Sequence, residues 1–376
     1  MTRRLLSGIR VLDLSQYLPG PFAAQMLSDL GADVVKVEPP AGDPLRRLGG
    51  VDADGLSPAY KLINAGKTVV RLDLKTESGR SESEELVRKA DVLVESYRPG
   101  TLDKLGLGRA RLTELNPALV HVAISGWGQT GPYRLRAGHD LNYMALGGGL
   151  ASSGAAGTPS MTHPPVADHA AAVQAAFAVA AALFDRTRTG QGAYLDVSLM
   201  ETVLGWQSWP LTMARRGQPP RPGADLLTGG AACYQLYRTV DGRFVSLGAI
   251  EEKFWAEFCG VMGRPDWILR QFEPMPQKGL IGEVTAAFAG ESLAHWAGLF
   301  AGVDCCFEVV ADLAEVPDHP HVAERGQVRV VDGPEPLVET LFGLRVDGDA
   351  PSARAAVRES DAQEIVTRLW GFRLDS

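Results

Sequence analysis

The sequence predicts an α/β fold: a large domain on a parallel sheet, joined late in the chain to a smaller α+β domain. Three observations predict it. Short apolar runs alternate with helical patterns from residue 9 to residue 199. The first of them make a strand–turn–helix–strand unit, which requires a parallel sheet and a right-handed crossover. The alternation then breaks at a Pro/Gly/Arg-rich stretch, Gly217 to Gly223, beyond which the signals are those of a hairpin and further helices.

Taken in order, residues 9–14 are apolar enough for a buried strand. Pro19-Gly20-Pro21 is a turn, residues 22–30 carry helical periodicity, and Gly31 is placed to end that helix. Residues 33–38 are the second strand. The turn between them is not a G-x-G-x-x-G fingerprint, so the expected scaffold is Rossmann-like without a nicotinamide site. Residues 39–56 form a Gly/Pro/Asp-rich loop with Arg46 and Arg47. Strands are expected at 69–74, 90–96 and 119–124, with helices at 81–89 and 111–115. Arg98 follows the second of these strands, where it meets either solvent or an anion. Asp168 heads an Ala-rich helix running to about Phe184, and an acid there serves the helix N-terminus whether or not it does chemistry. A strand at 194–199 and helical residues 200–216 complete the first region. The Asp241-Gly242 turn joins strands at 234–238 and 244–247. A helix begins near Glu251, two more helical patterns fill 283–303, and a last helix is expected over 360–370. The resulting division is 1–216 for the large domain, 217–325 for the linker and small domain, and 326–376 for a C-terminal segment.

Composition excludes some functions. The net charge of −8, with no long basic run, argues against a nucleic-acid partner. Cys233, Cys259, Cys305 and Cys306 have no metal-ligand spacing, so no metal site and a reduced, cytoplasmic chain are expected. Residues 1–9 hold Arg3 and Arg4 but no long apolar core, so no secretory leader is expected. The most apolar segment, 166–184, contains Asp168, His169 and Gln174, which fits a buried helix better than a membrane span.

The chemistry concentrates in the loop after the strand at 119–124: Ser125-Gly126-Trp127-Gly128-Gln129-Thr130-Gly131-Pro132-Tyr133, then Ala137-Gly138-His139-Asp140-Leu141-Asn142-Tyr143. Together with Asp29-Leu30-Gly31-Ala32-Asp33, Tyr97-Arg98-Pro99-Gly100, Gly190-Gln191-Gly192, Asp196-Val197-Ser198-Leu199 and Gly248-Ala249-Ile250-Glu251, these blocks make a chain that resembles the family III CoA-transferases (CaiB/BaiF) over nearly its whole length. Within them it is most similar to the α-methylacyl-CoA racemases, through Ala-Gly-His-Asp followed by Asn-Tyr. The resemblance implies that His139 and Asp168 are the catalytic acid/base pair and that Glu251 supports the site from the small domain. It implies an acyl-CoA substrate, no cofactor beyond the coenzyme A of that substrate, a C-terminal segment returning to the large domain, and an interlocked homodimer. Arg46, Lys67 and Arg98 are then the candidates to meet the CoA phosphates.

Two reactions remain open from sequence. Racemisation through an enolate needs acid/base groups on opposite faces of the α-carbon, which His139 and Asp168 would supply, with backbone N–H groups at the Asp168 helix N-terminus holding the enolate oxygen. CoA transfer between carboxylic acids needs Asp168 as nucleophile, passing through an aspartyl-CoA thioester. One departure bears on both: Asp168 is followed by His169-Ala170-Ala171-Ala172, where the racemases resemble a Gly-rich run.

Overall fold

The computed structural model describes residues 3–154, 157–341, 343–350 and 352–370. Its strands, in chain order, are β1 (Arg10–Asp13), β2 (Asp33–Glu38), β3 (Thr68–Arg71), β4 (Val92–Glu95), β5 (Val120–Ser125), β6 (Ala193–Ser198), β7 (Tyr234–Arg238), β8 (Phe244–Gly248), β9 (Phe307–Val309), β10 (Val328–Val331), β11 (Leu337–Thr340) and β12 (Arg358–Glu359). They fall into two units. One comprises residues 1–147, 163–205 and 317–376; the other comprises 148–162 and 206–316. The second unit therefore starts at Trp206, ahead of the Pro/Gly/Arg-rich stretch at 217, and takes in a segment from before the Ala-rich helix.

The first unit is built on a seven-stranded sheet ordered β12-β3-β2-β1-β4-β5-β6, in which neighbouring strands pair in parallel. β1, β4 and β5 are buried along their whole length, as strands covered on both faces must be. Strand order runs outward from β1 to β3 on one side and from β4 to β6 on the other. The reversal lies between β1 and β4, the switch point at whose carboxyl ends open parallel sheets bind ligands. Gln16, after β1, donates its backbone N–H to Ser96 Oγ, after β4, at 3.0 Å. β12 carries the C-terminal segment onto the sheet edge beside β3.

The first helix, Pro19–Asp29, starts three residues earlier than its periodicity suggests. Both prolines of the expected turn fall in its first turn, where a missing N–H removes no intrahelical bond. Gly31 does end this helix, at φ 104°. The Ala-rich helix runs over Val166–Thr189, and the helical stretch expected at 200–216 is two helices, Leu199–Gly205 and Ser208–Arg215.

Below the carboxyl ends of β1 to β3 lies a fully buried ionic cluster. Lys67 Nζ meets Asp13 Oδ2 at 2.9 Å, Pro21 O at 2.8 Å and Asn64 Oδ1 at 2.9 Å. Lys36 Nζ meets Asp43 Oδ2 at 3.0 Å and Ser15 O at 2.6 Å. Burial pushes the Lys67 ammonium down to about 8, against the pull of Asp13. Burial alone would raise the Asp13 carboxyl, but Lys67 and Lys36 together hold it below the usual carboxylate range. Because each ion is already stripped of water, removing one partner leaves the other charge uncompensated. Lys67→Met should destabilise the fold by roughly 3–5 kcal/mol, read as a lower urea midpoint at unchanged slope.

In the second unit β7, β8 and β9 form an antiparallel sheet, and β7–β8 is the hairpin expected around Asp241-Gly242. Its core is aromatic. Trp255, Phe258, Trp267 and Phe288 are completely buried, and the Trp255 indole donates to Trp267 O at 3.0 Å. The last helix expected in the chain shrinks to Ala362–Glu364 followed by a π turn, Ile365–Leu369.

Candidate active site

Asp168 is the third residue of the Val166–Thr189 helix, which packs on the Pro19–Asp29 helix and on β5 and β6. Pro165 precedes the first turn and brings no capping side chain. The cap comes instead from a second helix, Asp140–Leu146, which the glycine-rich loop concealed in the sequence. Asp140 Oδ1 accepts the backbone N–H of Asp168 at 3.1 Å, across 28 residues of chain. His139, the residue just before that helix, is thereby brought to the N-terminus of the long helix.

The environment of Asp168 favours its protonated form. Burial first, and the nearby Asp140 charge second, push its carboxyl up to about 7. One expectation changes here. The N–H of Asp168 is occupied by Asp140, so any oxyanion at this helix end must rely on the N–H groups of Val166 and Ala167, which have no carbonyl four residues back. His169 turns towards the first helix: its Nδ1 lies 2.6 Å from Pro165 O, and its ring meets Phe22 edge-on at 5.1 Å. A carbonyl can only accept, so Nδ1 carries the proton.

The loop carrying His139 is held by an aromatic cluster. Trp127 packs edge-on against Tyr133 and Tyr143, with centroids at 5.5 and 4.9 Å, and its indole donates to Arg136 O at 3.0 Å. Tyr143 is threaded between two glycines. A Cβ on Gly126 would stand 2.3 Å from the Tyr143 hydroxyl oxygen, and one on Gly138 would stand 2.8 Å from its ring. Gly126→Ala should therefore displace Tyr143 and cost on the order of 1–3 kcal/mol, measured by chemical denaturation.

The three basic candidates separate. Arg98 is exposed on the loop after β4, and among the described residues it makes no ion pair. Its charge lowers the Tyr143 phenol, which burial first and then Asp168 and Asp140 push up to about 12, so Arg98, Tyr143, Asp140 and Asp168 share one neighbourhood. Arg46 is already balanced: it contacts Glu38 Oε2 at 2.6 Å and Glu359 Oε1 at 3.1 Å, and lies 4.4 Å over the Tyr60 ring. Lys67 corrects the sequence expectation outright, since its ammonium is buried among three oxygens with no surface left for a phosphate. Glu251 belongs to the second unit, where it is exposed and caps the helix Glu252–Val261 through its backbone carbonyl. No group of three or more His, Cys, Asp or Glu arranged to hold a metal occurs among the described residues.

The sequence missed Tyr143 and the second role of Asp140. The signal for Tyr143 was present, because a Tyr four residues after a His and close to two glycines fits a side chain needing bare backbone around it. Asp140 gave no such signal.

Comparison with known proteins gives the family. Residues 6–356 match the sequence model of CoA-transferase family III. The chain is 36% identical over 327 residues to alpha-methylacyl-CoA racemase of Homo sapiens, covering 85% of this chain and 81% of the relative. It is 32% identical over 353 residues to succinyl-CoA:glutarate CoA-transferase of Mus musculus, covering 92% and 80%. A CAIB/BAIF family protein from Brucella suis superposes with a TM-score of 0.81 at 28% identity, covering 96% of this chain and 97% of that one. Racemase and transferase names thus both occur among its relatives.

Proposed function

Because the chain belongs to CoA-transferase family III, we propose that it is an acyl-CoA racemase or epimerase, inverting the α-carbon of a 2-methyl-branched acyl-CoA through an enolate. One observation supports this reading: Asp140, the residue next to His139, accepts the backbone N–H of Asp168, whose carboxyl is pushed up to about 7. A group that gains and loses a proton near neutrality suits a step that must run in both directions. His139 takes the proton from one face while Asp168 delivers one to the other, and the roles exchange for the opposite enantiomer. The thioester oxygen, which becomes anionic, is held by the first-turn N–H groups of the long helix. Arg98 meets an anionic part of the CoA moiety. Glu251 has the chemistry to orient an imidazole.

The test is incubation with 2-methylacyl-CoA in D₂O, read by mass spectrometry. One deuterium at the α-carbon, with no acceptor acid added, is expected; an accepted substrate that shows no exchange would sink this reading. The transferase names among the relatives support a second reading, CoA transfer through an aspartyl-CoA thioester on Asp168. It requires an acceptor acid and leaves a hydroxylamine-trappable enzyme thioester.

We further propose a homodimer. Val173, Phe177 and Phe184, spaced four and seven residues apart on the long helix, are 50%, 74% and 65% exposed. That helix is apolar and long enough to cross a membrane, but half of the relevant window is buried within its own unit, and a second copy of the chain fits the uncovered stripe. Phe177→Glu with Phe184→Glu should yield monomers by light scattering, whereas the unaltered chain should give the dimer mass. The four free thiols fit a reducing, cytoplasmic setting.

A further inference from the structure

The peptide bond between Gly138 and His139 is gripped at both ends by side chains of the helix that follows it. Its carbonyl oxygen accepts the Tyr143 hydroxyl at 2.6 Å, and its N–H donates to Asn142 Oδ1 at 3.0 Å. Both gripping residues are themselves placed. The Asn142 backbone N–H returns to His139 O at 2.8 Å, closing a ring of bonds around His139. Tyr143 is 8% exposed, its ring lies against Trp127, and it occupies the space that a Cβ on Gly126 or Gly138 would need. His139 itself is exposed, so burial does not fix the imidazole, and its side chain faces the Asn142 backbone N–H in a capping box shared with the Asn142 side chain. What sets the direction of its Cα–Cβ bond is the orientation of the peptide plane before it.

We propose that Asn142 and Tyr143 are positioning residues for His139, a two-point clamp that aims the imidazole by fixing the Gly138–His139 peptide plane. The clamp rests on the reading of His139 as an acid/base group. It does not need either side chain to touch substrate. A reacting group displaced by about 1 Å loses on the order of 100-fold in rate, so loosening one of the two grips lowers turnover while leaving acyl-CoA binding in place. It also assigns a purpose to the Asn-Tyr pair three and four residues on from the histidine: one side chain supplies the acceptor and the other the donor that a single peptide unit needs.

The experiment uses the full chain and 2-methylacyl-CoA exchange in D₂O. Tyr143→Phe keeps the ring and deletes only the hydroxyl; Asn142→Leu deletes the acceptor at similar volume. Each is expected to lower kcat about tenfold with KM changed less than twofold. The decisive measurement is the cycle with His139→Gln, followed over long incubations. If the clamp acts through His139, adding Tyr143→Phe to His139→Gln costs no further activity. A Tyr143→Phe enzyme with wild-type kcat, or a full additional tenfold loss on the His139→Gln background, would overturn the clamp. A His139→Gln enzyme as active as the wild type overturns it at a different point, because the acid/base reading itself then fails, and the single variant reveals this without the cycle.

Discussion

His139→Ala should abolish α-proton exchange, a loss of about 10³-fold or more, because the variant has no group on that face to take or return the proton. The same variant would keep part of any CoA-transfer activity, since an aspartyl-CoA thioester on Asp168 forms without an imidazole. Exchange measured with 2-methylacyl-CoA in D₂O, and hydroxylamine trapping in the presence of an acceptor acid, therefore give opposite answers under the two readings. Loss of exchange without loss of trapping marks a transferase in which exchange is incidental. Loss of exchange with no trapping in either enzyme marks the racemase.

Asp168→Asn should likewise remove activity by about 10³-fold, but it should stabilise the protein at neutral pH. The sign follows from the raised carboxyl. In the folded chain Asp168 titrates at about 7, whereas an unhindered aspartate titrates at 3.8. Between those values the folded state holds a proton that the unfolded state has released. The stability linked to that proton is complete below about pH 4 and is lost as pH rises through 7. Asparagine carries no charge at either end of the range. The variant and the wild type should melt together near pH 4 and diverge towards pH 8, where the variant is more stable by on the order of 2 kcal/mol, after allowing for the part of the carboxyl that solvent reaches. Thermal melts across that window check it; a gap that does not widen with pH would mean that Asp168 is not buried beside Asp140 as described.

Much of the first unit was legible because short β-branched runs such as Val120 to Ile124, bounded by Asn116-Pro117 and Gly126, are too short for helices and read as buried strands. Other elements were hidden for physical reasons. The Asp140–Leu146 helix is short and follows a glycine-rich loop, and its leading residue, His139, is not among the preferred caps. Lys67 stands in Asn-Ala-Gly-Lys, which reads as a surface turn, and lysine is almost never fully buried. Only the fold brings Asp13, 54 residues away, to its ammonium. Asp140 stands next to His139 in sequence, but its side chain serves Asp168. Its effect on Asp168 depends on a contact across 28 residues that no local pattern encodes. Arg98 was readable because a strand's carboxyl end is a place rather than a pattern, and sequence order alone locates it.

The stripe of Val173, Phe177 and Phe184 has a consequence beyond assembly. If the proposed second copy is seated on it, folding and association become one equilibrium, and the heat resistance of the chain becomes a matter of mass action. Dilution should lower its melting temperature, and a trace of the protein should be more fragile than an abundance of it, although every covalent bond in the two samples is the same.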